Sequence, residues 1–330
     1  MRYALFVGTL SFALGMALQY VWLGLQRRWR VTQEQKSYGV GIDTETKAAT
    51  PAMGGVVFIG LALFFLLMDC LLTDRGGESA LFWALPLACG CVGFLDDWLK
   101  FRGKSSEGLS SLQKLAAQFL AASLWVVWAF PRNGSFLSLS LSLWPGLSPC
   151  PPWLSAPLIA LAAAGAMNAV NITDGLDGLA GGAFMISLIF LGVLGYVLPL
   201  PHSEFLSSAF AVLLGTVGSF LFYNVHPART FMGDAGSHFL GGALVALCVQ
   251  GGAALALLPA GFIFGIELLS SAVQIVAIRG FGRKIFKMAP LHHHLQRLGW
   301  DETDITSRFL LLHALGAVFI ALPLAALLGV

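Results

Sequence analysis

Ten apolar runs, each close to the length of a bilayer-crossing helix, dominate this chain of 330 residues. They cover roughly residues 3–25, 53–72, 79–95, 112–131, 154–171, 178–200, 205–222, 239–258, 259–279 and 308–329. A helix needs about 20 apolar residues to cross the hydrocarbon core of a membrane. The expected fold is therefore an all-α polytopic membrane protein with about ten transmembrane helices, in one integral-membrane domain over 1–330. The run 79–95 is the shortest, and only Pro259 divides 239–258 from 259–279. Charged residues make up 11% of the chain, against about 25% in soluble domains, which excludes an ordinary soluble protein. With 57% apolar residues, disorder is excluded as well.

Lysine and arginine favour cytoplasmic connections. Alternate connections hold Arg27, Arg28, Arg30, Lys36 and Lys47, then Lys100, Arg102, Lys104 and Lys114, then Arg229. The last of them holds Arg279, Arg283, Lys284, Lys287, Arg297 and Arg308. The opposite side holds Arg2, Arg75 and Arg132. A bias of sixteen to three puts both termini outside. The first run has one Arg before it and no small-residue cleavage site, so it reads as a span rather than a signal peptide. Cys70, Cys89, Cys91 and Cys248 lie in or beside apolar runs, and Cys150 lies in the Ser- and Pro-rich outside connection 132–153. That is neither a disulfide framework nor a zinc spacing. A net charge of +2 points to no nucleic-acid partner.

Of the 17 acidic residues, Asp69, Asp74, Glu78 and Glu204 fall near outside ends and Glu267 falls within a run. The other twelve lie in inside connections, and Asp96, Asp97, Asp174, Asp177 and Asp234 stand at helix ends. Polar groups at membrane depth are costly and commonly functional. Five carboxylates from three connections on one face suit a single hard-cation site, with Mg²⁺ held by carboxylates and substrate phosphates. Plain solvation of helix ends is the other reading.

Phe94-Leu95-Asp96-Asp97-Trp98-Leu99-Lys100 closes the third run. Lys100 is i+4 from Asp96 and i+3 from Asp97, within reach of both. One ion pair needs one carboxylate, and two adjacent ones suit general-base work. In Asn168-Ala169-Val170-Asn171-Ile172-Thr173-Asp174-Gly175-Leu176-Asp177-Gly178, the Asn pair and the Asp pair each sit at i,i+3. One Asp would serve as a helix cap, but two Asn and two Asp exceed that need. Asn224 and then Phe231-Met232-Gly233-Asp234-Ala235-Gly236-Ser237 open the eighth span, where free N–H groups favour an anion; Asp234 also reads as a plain N-cap. Lys287-Met288-Ala289-Pro290-Leu291-His292-His293-His294 lies in the last inside connection. Consecutive helical positions diverge by 100°, so three histidines cannot share one metal, and imidazoles facing phosphates fit better. Glu267 and Gln274 share a helix face and read as structural.

These motifs resemble the polyprenyl-phosphate N-acetylhexosamine-1-phosphate transferase superfamily. The stretch Lys287–His294 followed by Gly299-Trp300 is similar to its phospho-N-acetylmuramoyl-pentapeptide-transferase branch. The match runs from about Lys47 to Arg308 and includes Pro51-Ala52-Met53-Gly54-Gly55. The resemblance implies a ten-helix fold, usually homodimeric, in the bacterial inner membrane with a cytoplasmic active site. It implies Mg²⁺-dependent transfer of phospho-N-acetylmuramoyl-pentapeptide from UDP to undecaprenyl phosphate, giving lipid I and UMP.

By the same resemblance, Asp234 would hold Mg²⁺, and Asp96 and Asp97 would handle the lipid phosphate. Lys47, Asn171, Asp174, Asp177, Asn224 and Phe231 would line the uridine and diphosphate pocket. His292, His293 and His294 would meet the sugar-phosphate end, with His294 counted as catalytic. Lys100, Lys114 and Asn168 complete the substrate-binding set. Two places depart from the family pattern. Gly-Thr-Pro-Thr-Met-Gly-Gly reads Ala49-Thr50-Pro51-Ala52-Met53-Gly54-Gly55 here, and Gln296 stands where Glu is usual. Exchange of one phosphoanhydride for another needs no energy source, consistent with the lack of a Walker-type loop. A sister enzyme using UDP-N-acetylglucosamine is the near rival, and the triple His argues against it. A transporter would carry ionisable groups near the midplane, where this sequence offers only Glu267.

Overall fold

The computed structural model describes residues 2–29, 50–103, 107–129, 151–197 and 204–328. Arg30, Lys36, Lys47, Lys104, Arg132 and Cys150 lie outside them. The described residues form α1 (Arg2–Trp29), α2 (Val56–Leu72), α3 (Gly76–Gly103), α4 (Ser111–Ala129), α5 (Pro152–Thr173) and α6 (Leu179–Val197). Then follow α7 (Glu204–Asn224), α8 (Gly233–Gln250), α9 (Leu257–Ala260), α10 (Phe262–Phe281), α11 (Leu291–Gln296) and α12 (Glu302–Leu328). Each of the ten apolar runs falls on a helix. Among the described residues, eight helices are long and apolar enough to cross a membrane, α2 is a shorter apolar helix, and α8 lies inside the bundle. The fold is that of an all-α polytopic membrane protein.

Three helices differ from the expected runs. α3 runs on to Gly103, past the predicted 95, because Asp96, Asp97 and Lys100 continue the helix and pair with each other and their neighbours. α8 begins at Gly233, six residues before the predicted 239. It stops at Gln250, before Gly251-Gly252, with Gly252 at a φ of 70°. The break expected at Pro259 thus lies earlier, at the glycine pair.

α8 is the axis of the fold. Every residue from Gly233 to Val249 is buried, as expected of a helix that is apolar all round. It packs most extensively on α3 and next on α5. Trp83 of α3 stacks on Phe239 of α8, with ring centroids 6.4 Å apart. α1 lies against α7, where Ser11 Oγ donates to the Val212 carbonyl at 2.8 Å. The outer surface is apolar: Leu67, Leu71, Leu124, Val127 and Phe319 are all more than half exposed. A surface of this kind suits lipid rather than water.

One close approach positions the site. A Cβ at Gly93 of α3 would run into the backbone carbonyl of Asp234 in the first turn of α8. Only glycine lets the two backbones lie this near. Asp96 and Asp97, one turn further along α3, are thereby carried to the start of α8.

Candidate active site

Asp96, Asp97 and Asp234 are all buried, and each brings a carboxylate oxygen within 4.8 Å of the other two. Two lysines hold them together. Lys100 Nζ lies 2.6 Å from Asp96 Oδ2, 3.0 Å from Asp234 Oδ2 and 3.8 Å from Asp97 Oδ1. Lys114 Nζ, from the start of α4, lies 2.6 Å from Asp234 Oδ2 and 2.9 Å from Asp96 Oδ2. The second oxygen of Asp96 accepts the Leu109 N–H at 2.7 Å, and Asp97 Oδ2 accepts the Ala235 N–H at 3.0 Å. Asn171, at the end of α5, donates to Asp234 Oδ1 at 2.7 Å and to Ser237 Oγ at 3.0 Å. Three carboxylates thus face two ammonium groups. An all-oxygen donor set with surplus negative charge fits a hard divalent cation such as Mg²⁺.

The Pro51–Gly55 loop braces this cluster. The Phe231 N–H donates to the Pro51 carbonyl at 2.8 Å, and the Gly54 N–H returns to the Phe231 carbonyl at 2.8 Å. The Gly55 N–H bonds the Met232 carbonyl at 2.9 Å. The backbone just before Asp234 is therefore paired with the loop, and Phe231 is half-buried beside it. From α1, Gln19 Nε2 donates to the Gly54 carbonyl at 3.0 Å, Trp22 Nε1 to the Met53 carbonyl at 2.9 Å, and Gln26 to the Ala52 carbonyl.

The Asn168–Gly178 junction joins α5 to α6. Asp177 Oδ2 meets His226 Nδ1 at 3.0 Å and accepts the Ala228 N–H at 3.0 Å. The Asp177 N–H donates to Glu302 Oε1, at the start of α12, at 2.7 Å. Asn224 ties two loops together: its oxygen accepts the Gly178 N–H at 3.1 Å and its amide donates to the Thr230 carbonyl at 2.9 Å. Asp174 caps the end of α5, its N–H on the Val170 carbonyl at 3.0 Å. These bonds draw the ends of α5, α6, α7, α8 and α12 to one end of the bundle, beside the carboxylates.

The three histidines follow Leu291 in α11 and take different hydrogen-bond partners, with the His292 and His293 ring centroids 4.2 Å apart. His292 is fully buried, with Nδ1 3.1 Å from Glu267 Oε2. His293 Nδ1 lies 2.7 Å from Gln296 Oε1. His294 Nδ1 accepts the Lys287 N–H at 3.1 Å, and its ring packs on Phe286. Gln274 grips the same segment, accepting the Ile285 and Phe286 N–H groups at 3.0 Å each.

A family model described as Glycosyl transferase family 4 matches residues 79–252. The chain is 33% identical over 324 residues to the phospho-N-acetylmuramoyl-pentapeptide-transferase of Shouchella clausii, with 95% of each covered. It is 37% identical over 306 residues to that of Symbiobacterium thermophilum, covering 92% of this chain and 90% of the relative. With the Trichormus variabilis enzyme of the same name it shares 38% over 279 residues, 82% of this chain and 74% of the relative. The chain belongs to the phospho-N-acetylmuramoyl-pentapeptide-transferase family. It is a phosphoglycosyl transferase of peptidoglycan precursor synthesis and a multi-pass membrane protein.

In this family member, the site residues expected from the sequence fall into groups. Asp96, Asp97, Lys100, Lys114, Asn171 and Asp234 meet directly. Asp174, Asp177, Asn224 and Phe231 flank them, and His292 joins them through Gly175. His293 and His294 lie on the next residues of α11. Asn168 turns elsewhere: its amide donates to Gln118 Oε1 at 2.7 Å and to the Ala164 carbonyl at 2.8 Å. Lys47 is outside the described residues. Several participants escaped the sequence reading. Gln118 reaches His238 Nε2 at 2.7 Å behind the carboxylates, and His226 and Glu302 both bond Asp177. Glu267 lies within the span-length helix α10, as expected, and bonds His292 of α11.

Proposed function

We propose that this enzyme transfers phospho-N-acetylmuramoyl-pentapeptide from its UDP conjugate to undecaprenyl phosphate, releasing UMP and forming lipid I. The reaction takes place at the cytoplasmic face of the bacterial inner membrane. Ten spans place both termini outside, and the enzyme works as a homodimer. The observation that carries this reading is the meeting of Asp96, Asp97, Asp234, Lys100 and Lys114 beside Asn171 at one end of a membrane bundle. A lipid phosphate arriving along the bilayer and a soluble nucleotide can both reach such an end.

One phosphoanhydride is broken and another is made, so the work of catalysis is positioning and charge neutralisation. Lys100 and Lys114 supply fixed positive charge where two anionic reactants must approach. Asp96 and Asp97 take the lipid-phosphate end, where a carboxylate can accept its proton. Asp234, with Asp96 and Asp97 beside it, would hold Mg²⁺, which when bound offsets the charge of the diphosphate. Asn171, Asp174, Asp177, Asn224, Phe231 and Lys47 form the nucleotide side. His292, His293 and His294 serve the sugar-phosphate end.

The test is a donor panel. Purified protein, undecaprenyl phosphate and Mg²⁺ are mixed with each UDP-sugar in turn, and UMP release is measured. Release with UDP-N-acetylmuramoyl-pentapeptide, abolished by chelation and by Asp234→Asn, is expected. Release with UDP-N-acetylglucosamine instead would move the chain to the sister branch of the superfamily. Release from no donor would refute the reading.

A further inference from the structure

Glu267 is buried on α10, yet none of its hydrogen bonds serves that helix's own termini. Oε2 accepts the Leu291 N–H at 2.9 Å, and Oε1 accepts the His292 N–H at 3.2 Å. Oε2 also meets His292 Nδ1 at 3.1 Å. The carboxylate therefore takes free N–H groups of α11 that the helix itself cannot satisfy. Ser270, one turn along α10, adds a second acceptor for the Leu291 N–H at 3.1 Å.

The third contact carries chemical information. An ionised carboxylate can only accept hydrogen bonds. The proton between it and His292 therefore sits on Nδ1. Which ring nitrogen carries the proton is set by the bond the other one makes. With one proton on the ring and that proton on Nδ1, Nε2 is left as an acceptor. Nε2 is buried and has no hydrogen-bond partner in the protein. It points at Gly175, where any Cβ would collide with it. Gly175 lies between Asp174 and Asp177, so the unpartnered nitrogen faces the junction that flanks the carboxylates.

We infer that Glu267 is the positioning residue for His292: its carboxylate caps α11 and holds the proton on Nδ1, so that Nε2 is offered as an acceptor toward the Asn171–Asp177 junction. The inference rests on the reading that His292 serves the transfer reaction. Glu267 touches no reactant and acts through the ring. A glutamine in its place fills the same volume but aims an NH₂ or a neutral oxygen at Nδ1, and it no longer holds that proton with a charge.

Two measurements on the full-length protein test this. The first is ¹⁵N NMR of histidine-labelled protein at pH 8, with His292→Asn identifying the resonance. A protonated Nδ1 and an unprotonated Nε2 are expected, with the proton redistributed in Glu267→Gln. An unprotonated Nδ1 in the unaltered protein overturns the inference. This readout is independent of turnover, so it stands even if no donor releases UMP and the proposed function fails. The second is a double-mutant cycle on kcat. Glu267→Gln is expected to lower kcat by roughly 10–10²-fold, below the 10²–10⁴-fold worth of a general acid–base group, with KM little changed. In the His292→Asn background the same change is expected to cost nothing further. An equal loss in both backgrounds marks a purely structural role and overturns the inference. Unchanged kcat in Glu267→Gln, or in His292→Asn, does so as well.

Discussion

Lys114 Nζ on α4 lies 2.6 Å from Asp234 Oδ2 on α8, although 120 residues separate them in the chain. The ammonium group also reaches Asp96 at 2.9 Å and so closes a triangle between three helices. Removing one partner of a mostly buried pair leaves the others uncompensated, at about 3–5 kcal/mol. Lys114→Met is therefore expected to lower the melting temperature and to abolish UMP release together. Thermal melts and turnover on one preparation check this. A variant that melts and turns over normally would remove Lys114 from the cluster.

Gly93→Ala tests the helix contact that carries the carboxylates. The new methyl has no room beside the Asp234 carbonyl. Overpacking of this kind costs about 1–3 kcal/mol. The expected result is a lower melting temperature and turnover reduced more than tenfold, because Asp96 and Asp97 move relative to Asp234. An unchanged melt would show that α3 and α8 have slack.

Trp22→Phe keeps an aromatic ring, smaller than the indole, and deletes the donor to the Met53 carbonyl. Loss of one such bond is worth about 1 kcal/mol, and more if the carbonyl is left dry. Met53 already sits at a φ of 72°, an uncommon conformation for a residue with a side chain. A modest fall in melting temperature is expected, with a raised KM for the nucleotide, since this loop braces Phe231. Initial-rate kinetics over a range of nucleotide concentrations would show it; an unchanged KM would separate the loop from the site.

The architecture was legible because bilayer length leaves a plain mark on sequence. Each of the ten apolar runs became a helix, and the Asp-rich junctions proved to be neighbours. Helix ends were harder to read. Hydropathy fades at Asp96, yet α3 continues because Lys100 and Lys114 compensate its carboxylates. Partners distant in the chain were invisible: nothing local marks Gln118 as the neighbour of His238, or His226 as that of Asp177. The three-and-four spacing of Gln19, Trp22 and Gln26 on an otherwise apolar helix was a readable sign of a polar face. Its partners are backbone carbonyls, which leave no mark of their own in the sequence. Glu267 and Gln274 share a helix face in the sequence, but sequence alone does not show that both hold the histidine-bearing segment.

Orientation has its own test. The charge bias places the segment between α10 and α12, with exposed Arg283 and Arg297, on the cytoplasmic side. A single cysteine at either position, in a chain with its own cysteines replaced, is expected to resist an impermeant reagent in intact cells and to react after permeabilisation. Ready labelling from outside would invert the topology.

The most direct test of the carboxylate cluster as the catalytic centre is UMP release by Asp96→Asn and Asp97→Asn, each with a thermal melt alongside. Turnover is expected to fall by about 10²-fold or more in both, in the range of a lost general acid–base group. Asp96→Asn should also melt lower than Asp97→Asn, because Asp96 bonds Lys100, Lys114 and the Leu109 N–H. Turnover at the unaltered rate in both variants, with lowered melting temperatures, would make the pair a structural ion cluster and contradict its catalytic assignment.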